Sequence, residues 1–524
     1  MNTAGLLLAS VRSFPDARAV MSGYQPTLTY ADLGRRVTNL AGYLRGKLRL
    51  ARGDRVGLAM VNHPHFIEVM WACWHAGLVI VPMNAQLHKK EIAYILDHAG
   101  VSLCFATADL ANTLQPLTNE LMALKTVIDV EGADYRALLG ATPWPMEVVS
   151  LEAPAWIFYT SGTTGRPKGA VLSHRSMHAM TWRYYADIDH VSPADSIIHS
   201  TALSHATGLF SVAFIAKAAL HVIPAGGSTD VGEVLAIVDH LPRSSVVLSP
   251  TTLTKMAEQA TTRRTRVENF KTILYGSAPI YQRSLDLALD AFGPCLWQGY
   301  GQGESPITIT NLTKYHHADR AHPNYRERMS TVGTARTGVE VRIVDKSGQS
   351  LPAGEVGEIV CRSDVTMSGY WNNQAASDQT LKNGWLHTGD LGSLDGHGFL
   401  TLKDRAKDVI IVEGLNVYPR EVEDALLRHP SVREVAVIGR RHELWGEEIV
   451  AFVVPANGAV IEASVLDRTV IEHIAPYKKP AAYFAVDKLP RNGNGKVLKT
   501  ELRRRLSEYS RSTMIPTKDR ACKI

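Results

Sequence analysis

Short β-prone runs alternate with amphipathic stretches through residues 30–106 and again through residues 245–291, and this rhythm restricts the fold more than any other feature. Residues 30–44 place Leu33, Val37, Leu40 and Leu44 at helical spacing. Residues 55–60 read as a short buried strand, 65–75 as an apolar helix, 79–82 as a strand, 91–99 as a helix and 101–106 as a strand. The later run repeats the pattern, with strands at 245–248 and 272–275 and helices at 251–259 and 281–291. Strands and helices alternating at this interval predict parallel sheet covered by helices. No short-period repeat is present, which excludes a solenoid.

The texture changes near residue 338. Residues 339–344 and 356–361 are β-rich runs around the turn-formers of 345–348 and 352–354, and they predict a small antiparallel sheet. A charged connector, Asp404-Arg-Ala-Lys-Asp408, comes next. Beyond it lie strands at 409–412, 432–437, 448–454 and 482–486 and helices at 419–428 and 461–474, enough for a separate α+β domain. The expected class is α/β: a large N-terminal region of parallel α/β sheets with a small antiparallel β subdomain, then a smaller, mobile α+β domain. The expected boundaries are 1–403, a hinge at 404–408, and 409–524.

Hydrophobic residues make up 45% and charged residues 20%, a mixture that excludes disordered and fibrous classes. The net charge of +5 is concentrated late, at Arg503, Arg504, Arg505, Arg511, Lys518, Arg520 and Lys523. That cluster reads as a solvated helix and tail, and no nucleic-acid partner is expected. Five widely spaced cysteines, Cys73, Cys104, Cys295, Cys361 and Cys522, form neither a disulfide framework nor a zinc site. The apolar run at 5–10 lacks a preceding basic region and is interrupted by Arg12 and Asp16, which argues against a secretory signal. Residues 209–224 contain Lys217 and His221 and are too short to span a bilayer. The terminal Cys-Lys-Ile is neither a prenylation nor a peroxisomal signal, so a cytoplasmic location is expected. No feature sets the oligomeric state.

The chemistry concentrates in Tyr159-Thr-Ser-Gly-Thr-Thr-Gly-Arg-Pro-Lys-Gly169, which follows the strand-like Ala155-Trp-Ile-Phe158. Glycines and small hydroxyl residues let backbone N–H and side-chain O–H groups converge on phosphate oxygens, and Lys168 adds positive charge. The spacing does not match a Walker loop. Residues 160–169 resemble the phosphate loop of the adenylate-forming superfamily, which includes acyl- and aryl-CoA synthetases, peptide-synthetase adenylation domains and beetle luciferases. The resemblance runs from Leu28-Thr-Tyr-Ala-Asp-Leu33 to Lys496, with its markers in order, and is closest in character to the acyl-CoA synthetases.

Several roles follow from that resemblance. Thr160, Ser161, Gly162, Thr163, Thr164, Gly165 and Lys168 match the phosphate-binding loop, with Thr163 and Lys168 also counted as catalytic. Gln298-Gly-Tyr-Gly-Gln-Gly-Glu304 matches the adenine-packing segment; Gly299, Tyr300, Gly301, Gln302 and Gly303 would face the nucleotide, and Glu304 would bind the Mg²⁺ that ATP carries. Gly303 departs from the family, which has threonine there. Gly276, Ser277, Ala278 and Pro279 match a small-residue turn beside adenine and the acyl group, Asp390 and Arg405 match the ribose contacts, and Lys496 in Pro490-Arg-Asn-Gly-Asn-Gly-Lys496 matches the adenylation lysine. His205, in Leu203-Ser-His-Ala-Thr-Gly208, matches a histidine guarding the acyl pocket. Residues 201–213 contain no acidic side chain, which argues against an α-amino acid substrate.

The resemblance implies two half-reactions. A carboxylate attacks the α-phosphorus of ATP and expels pyrophosphate; a thiol then attacks the mixed anhydride. Lys407 matches the residue about which the small domain rotates between them, and Gly414 lies in the segment that admits pantetheine. Glu413 and Leu415 depart from the family's usual glycine and glutamate. Fatty, alicyclic and aromatic acids all stay open as substrates. Coenzyme A is the expected acceptor, with an acyl carrier protein as the alternative. A simple ATPase and a noncatalytic nucleotide-binding homologue are the competing classes.

Overall fold

Local side-chain chemistry sets where the helices begin. Thr29 accepts the N–H of Asp32, and the Asp32 carboxylate accepts the N–H of Thr29, so the helix Tyr30–Gly42 starts on a reciprocal cap. Pro64 opens the helix Pro64–His75, where its missing donor costs nothing, and His63 accepts the N–H of His65. The helix Lys89–Ala99 follows His88 and ends at Gly100, which adopts φ +61°. These starts fall within one or two residues of the sequence expectation.

The computed structural model describes residues 1–160, 166–226, 230–278, 280–405, 408–412, 415–442, 446–456, 459, 461–492, 496–506 and 514–515, with Arg405 described by its backbone alone. The chain forms two compact units: Met1–Val341 with Cys361–His387, and Arg342–Val360 with Thr388–Ile524.

The first unit holds two large sheets. In one, Thr126–Asp129, Val101–Ala106, Arg55–Ala59, Val79–Met83 and Pro154–Thr160 lie parallel in that order, and Lys168–Ser173 closes the edge antiparallel to Pro154–Thr160. The other has nine strands, ordered Thr334–Ala335, Ser305–Leu312, Leu296–Gln302, Phe270–Gly276, Ser244–Leu248, Ser196–Ile198, Leu220–Ile223, Arg18–Ser22 and Gln25–Thr29. Its interior, from Leu296–Gln302 to Arg18–Ser22, is parallel. The two edges are antiparallel. Central strands buried on both faces read as continuous apolar runs: Val56, Leu58, Ile80, Val81 and Phe105 are all fully buried. The strand–helix rhythm thus produces the expected parallel sheets. The N-terminal apolar run is the helix Ala4–Ser13.

The second unit is sorted by a period of two. Val435, Val437, Ile449, Ala451 and Val453 enter one core with Val422 and Leu426 of the helix Pro419–Leu426 and Leu466 and Val470 of the helix Ala463–His473. Their neighbours Ala436, Ile438, Val450, Phe452 and Val454 enter a second core with Phe484 and Leu502. Alternate side chains of a strand point to opposite faces, so two paired strands, Val432–His442 and Gly446–Pro455, serve both cores. The strand Leu400–Arg405 pairs antiparallel with residues 390–394, so Asp404 and Arg405, expected in the connector, end a strand instead. Residues 415–417 form a strand that the sequence reading treated only as a loop.

Among the described residues no helix is long and apolar enough to cross a membrane. Cys73, Cys104 and Cys361 are buried, Cys295 is partly buried, and all four are free thiols; Cys522 lies outside the described residues.

Candidate active site

The loop expected to bind phosphate joins two antiparallel strands. Thr160 ends Pro154–Thr160, Lys168 begins Lys168–Ser173, and the two are register partners, so the strands clamp the loop at both ends. Ser161, Gly162, Thr163, Thr164 and Gly165 lie outside the described residues. Strand alternation sends Tyr159 to the opposite face from Thr160, and its hydroxyl meets His98 Nδ1 at 2.7 Å.

Thr160 faces Glu304, which sits in the turn between Leu296–Gln302 and Ser305–Leu312 of the other sheet. The Thr160 hydroxyl donates to Glu304 Oε1 at 3.4 Å, and the Tyr370 hydroxyl donates to the same oxygen at 2.7 Å. Only 7% of Glu304 is exposed, so two hydroxyls stand where water would otherwise solvate the carboxylate. The ammonium of Lys168 lies over the Tyr370 ring, 5.1 Å from its centre. Thr160, Lys168 and Glu304 are therefore gathered around Tyr370, which the sequence reading missed. Its signal was weak: an aromatic pair, Tyr370-Trp371, behind a glycine. A cavity of about 450 Å³ flanks the loop, lined by Tyr94, His98, Arg166, Pro167, Lys168, Trp371 and Asn373, with no acidic group among them.

One buried carboxylate with nearby hydroxyls is a hard-oxygen donor set. It suits a divalent cation that arrives already held by nucleotide phosphates, because a single protein carboxylate then suffices. Among the described residues no three acidic, histidine or cysteine side chains gather as a metal site of their own.

Glycines at 276 and 303 are imposed by close approach of neighbouring atoms. Gly276 ends the strand Phe270–Gly276 and is the register partner of Gly299 within the parallel strand Leu296–Gln302, and a Cβ on Gly276 would fall 2.4 Å from the Gly299 carbonyl oxygen. Next along the chain, Ser277 adopts φ +69°, a left-handed conformation that a non-glycine residue holds only under constraint. Ala278 follows it, and Pro279 lies outside the described residues. Tyr300 is buried, whereas Gly301 and Gln302 are partly exposed. At Gly303 a Cβ would lie 2.2 Å from Thr160 Cγ2 and 2.9 Å from Phe158 Cδ1. The departure from threonine thus has a physical counterpart: Thr160 and Phe158 already occupy the space.

Phe158 also reaches His205. Its ring meets the His205 imidazole edge-on, with centres 5.5 Å apart. His205 precedes the helix Ala206–Ile215, and its Nδ1 pairs with the Ser204 hydroxyl at 3.0 Å. Burial pushes the imidazole down to about 4, so the ring is neutral at pH 7.

In the second unit, Asp390 and Arg405 are antiparallel register partners. Asp390 is 7% exposed, and its N–H donates to the Thr388 hydroxyl, which in turn donates to the Ile359 carbonyl at 2.6 Å. Lys496 is exposed; its N–H donates to Asn492 Oδ1, and its carbonyl accepts the Asn492 N–H, both at 2.9 Å. Lys407 and Gly414 lie outside the described residues. Asp408, next to Lys407, pairs with Arg503 at 2.8 Å.

Known proteins are similar to this chain in sequence and in fold. Residues 7–371 match the AMP-binding enzyme family, and residues 421–496 match the AMP-binding enzyme C-terminal domain. A feruloyl-CoA synthase of Amycolatopsis is 34% identical over 94% of this chain and 97% of its own length. The fatty acid–[acyl-carrier-protein] ligase ScoC of Streptomyces coeruleorubidus is 32% identical over 91% and 92%. The crystal structure of ATP-bound MatB from Rhodopseudomonas palustris superposes with a TM-score of 0.86 at 26% identity, covering 97% of this chain and 100% of that one. The matches cover both parts of the chain and agree: the protein belongs to the AMP-binding enzyme family.

Proposed function

We propose that the protein uses MgATP to convert a carboxylic acid into an acyl-adenylate and then transfers the acyl group to the thiol of coenzyme A. In the first half-reaction a carboxylate oxygen bonds to the α-phosphorus as the bond to pyrophosphate breaks. In the second, the thiol sulfur bonds to the acyl carbon, its proton is lost, and AMP leaves. The observation that carries the proposal is the buried Glu304 carboxylate, met by the Thr160 and Tyr370 hydroxyls beside Lys168 at the base of the phosphate loop. Glu304 would hold the divalent cation that accompanies ATP, which would offset charge on the phosphates. Lys168 adds a second positive charge, and Lys496 adds a third where the carboxylate and α-phosphate meet. Asp390 with Arg405 holds the ribose.

The acid is a plain carboxylate of the aromatic, fatty or alicyclic class. A neutral His205 and the ring of Phe158 offer an apolar wall, and nothing acidic in 201–213 would hold a substrate ammonium. Similarity to a feruloyl-CoA synthase supports an aromatic acid and coenzyme A. Similarity to a carrier-protein ligase supports a second acceptor, an acyl carrier protein. The segment 409–524 turns about Lys407 between half-reactions, and Gly414 admits the pantetheine arm.

Pyrophosphate release with ferulate, dodecanoate and cyclohexanecarboxylate, followed by mass detection of the CoA thioester, tests the proposal. Release without any acid supports an ATPase instead, and no release with any acid refutes adenylation.

A further inference from the structure

A single side chain from the six-stranded sheet holds the segment that leads to His205. Asn62 follows the strand Arg55–Ala59. Its Nδ2 donates to the carbonyls of His199 and Thr201, and its Oδ1 accepts the N–H of Leu203, each at 2.8 Å. Residues 199–203 leave the strand Ser196–Ile198 of the nine-stranded sheet, so this amide ties one sheet to the other. Both amide hydrogens and the amide oxygen are used, and no other side chain of this size offers two donors and an acceptor.

The tie bears directly on His205. Asn62 grips both sides of Ala202, whose carbonyl accepts the N–H of His205 at 3.0 Å. The same turn packs tightly on the helix start, where a Cβ on Gly208 would lie 1.9 Å from the Leu203 carbonyl oxygen. Behind it, His199 Nδ1 meets Thr207 Oγ1 at 3.1 Å and His199 Nε2 meets His221 Nδ1 at 3.0 Å, with both histidines fully buried. His199, the first residue of the segment, is thus tied to the helix Ala206–Ile215 and the strand Leu220–Ile223, while Asn62 holds the backbone at 199, 201 and 203.

We propose that Asn62 is a positioning residue for the acid pocket, setting the place of His205 against Phe158 through the 199–203 turn. The assignment rests on His205 lining the acyl site. Asn62 touches neither the phosphate loop nor the adenine segment through any of these bonds, so its effect is specific to the acid. Asn62→Asp separates hydrogen bonding from packing: it keeps the size and the acceptor for Leu203 but sets an oxygen against two carbonyls.

The test uses Asn62→Ala and Asn62→Asp in the full chain, with whichever of ferulate or dodecanoate the wild type uses better. Both variants should raise KM for the acid tenfold or more, while KM for ATP stays within threefold. Amide hydrogen exchange of a peptide covering 199–208 should quicken at least tenfold, and exchange across 270–312 should be unchanged. Parallel rises in both KM values, an unchanged acid KM in a folded variant, or unaltered exchange at 199–208 would each overturn the assignment. A wild type that releases no pyrophosphate with any acid refutes adenylation itself; the exchange measurement then decides by itself whether Asn62 holds the segment.

Discussion

Replacing Gly303 with the threonine usual in its family should harm the enzyme rather than improve it. A Cβ at this position would lie 2.2 Å from Thr160 Cγ2 and 2.9 Å from Phe158 Cδ1. Carbon atoms in contact sit about 3.5–4.0 Å apart. Thr160 or the 303–304 turn must therefore move by more than about 1 Å. Overpacking of this kind costs about 1–3 kcal/mol of stability. The kinetic cost should be larger in proportion, because the Thr160 hydroxyl donates to Glu304 and the displacement passes straight to the carboxylate. A misplacement of about 1 Å at a reacting site costs on the order of 10²-fold in rate. Gly303→Thr should accordingly lower acid-dependent pyrophosphate release about 10²-fold, and Gly303→Ala nearly as far, since the Cβ alone meets the obstruction. Adding Thr160→Ser removes the atom at 2.2 Å but leaves Phe158 at 2.9 Å, so rescue should be partial. The double-mutant cycle should show a coupling above about 1 kcal/mol. Initial rates of pyrophosphate release and thermal midpoints of the four proteins supply the numbers. A Gly303→Thr enzyme as active as wild type, or more so, would refute the steric reasoning.

Lys496→Ala should slow adenylation by on the order of 10²–10³, the scale for losing one placed electrostatic donor, while thioester formation from supplied acyl-adenylate is spared; equal loss in both half-reactions removes the role. Lys407→Pro fixes φ near −65° and deletes a donor, so acyl transfer to CoA should collapse while single-turnover adenylation persists; normal thioester formation by the variant sinks the hinge. Burial holds His205, His317 and His63 down to about 4 and His174 and His199 down to about 3, all below the ordinary value of 6.5. The unfolded chain therefore binds more protons than the native one between pH 6.5 and 3. Stability from these groups is full above pH 6.5 and falls as the pH drops through that window. The thermal midpoint should be level above pH 7 and decline steadily towards pH 4; a midpoint as high at pH 5 as at pH 7.5 contradicts the burial of these rings.

Much of the fold was legible because its signals are local. The helix Tyr30–Gly42 starts where Thr29 and Asp32 make a reciprocal cap, four positions of chain that any reader can inspect. Likewise, Val432–His442 and Gly446–Pro455 carry their two-faced burial in alternation. Other elements were hidden for an equally physical reason. The helix Ala4–Ser13 has no acidic first turn and no side-chain cap, so only its apolar run showed. The strand Leu415–Val417 is three residues long and exposes Leu415 and Asn416, which leaves no burial pattern to read. Among the candidate site residues, Thr160, Lys168 and Glu304 were singled out through motifs whose residue types suit phosphate and cation chemistry. Tyr370 was not, because one tyrosine among 18 carries no mark of its partner.

By itself, the sequence determined the parts whose physics is contained in a few neighbouring residues: helix starts and strand faces. Only the tertiary structure decided which distant groups meet. Glu304 is 66 residues from the tyrosine that hydrogen-bonds it, and Asn62 is 141 residues from the Leu203 amide it accepts. Such pairs depend on how two sheets stack, and the stacking is set by the summed packing of buried side chains rather than by any local preference. The same holds for Gly303. Along the chain it is a missing hydroxyl, and only in three dimensions is it space already filled by Thr160 and Phe158.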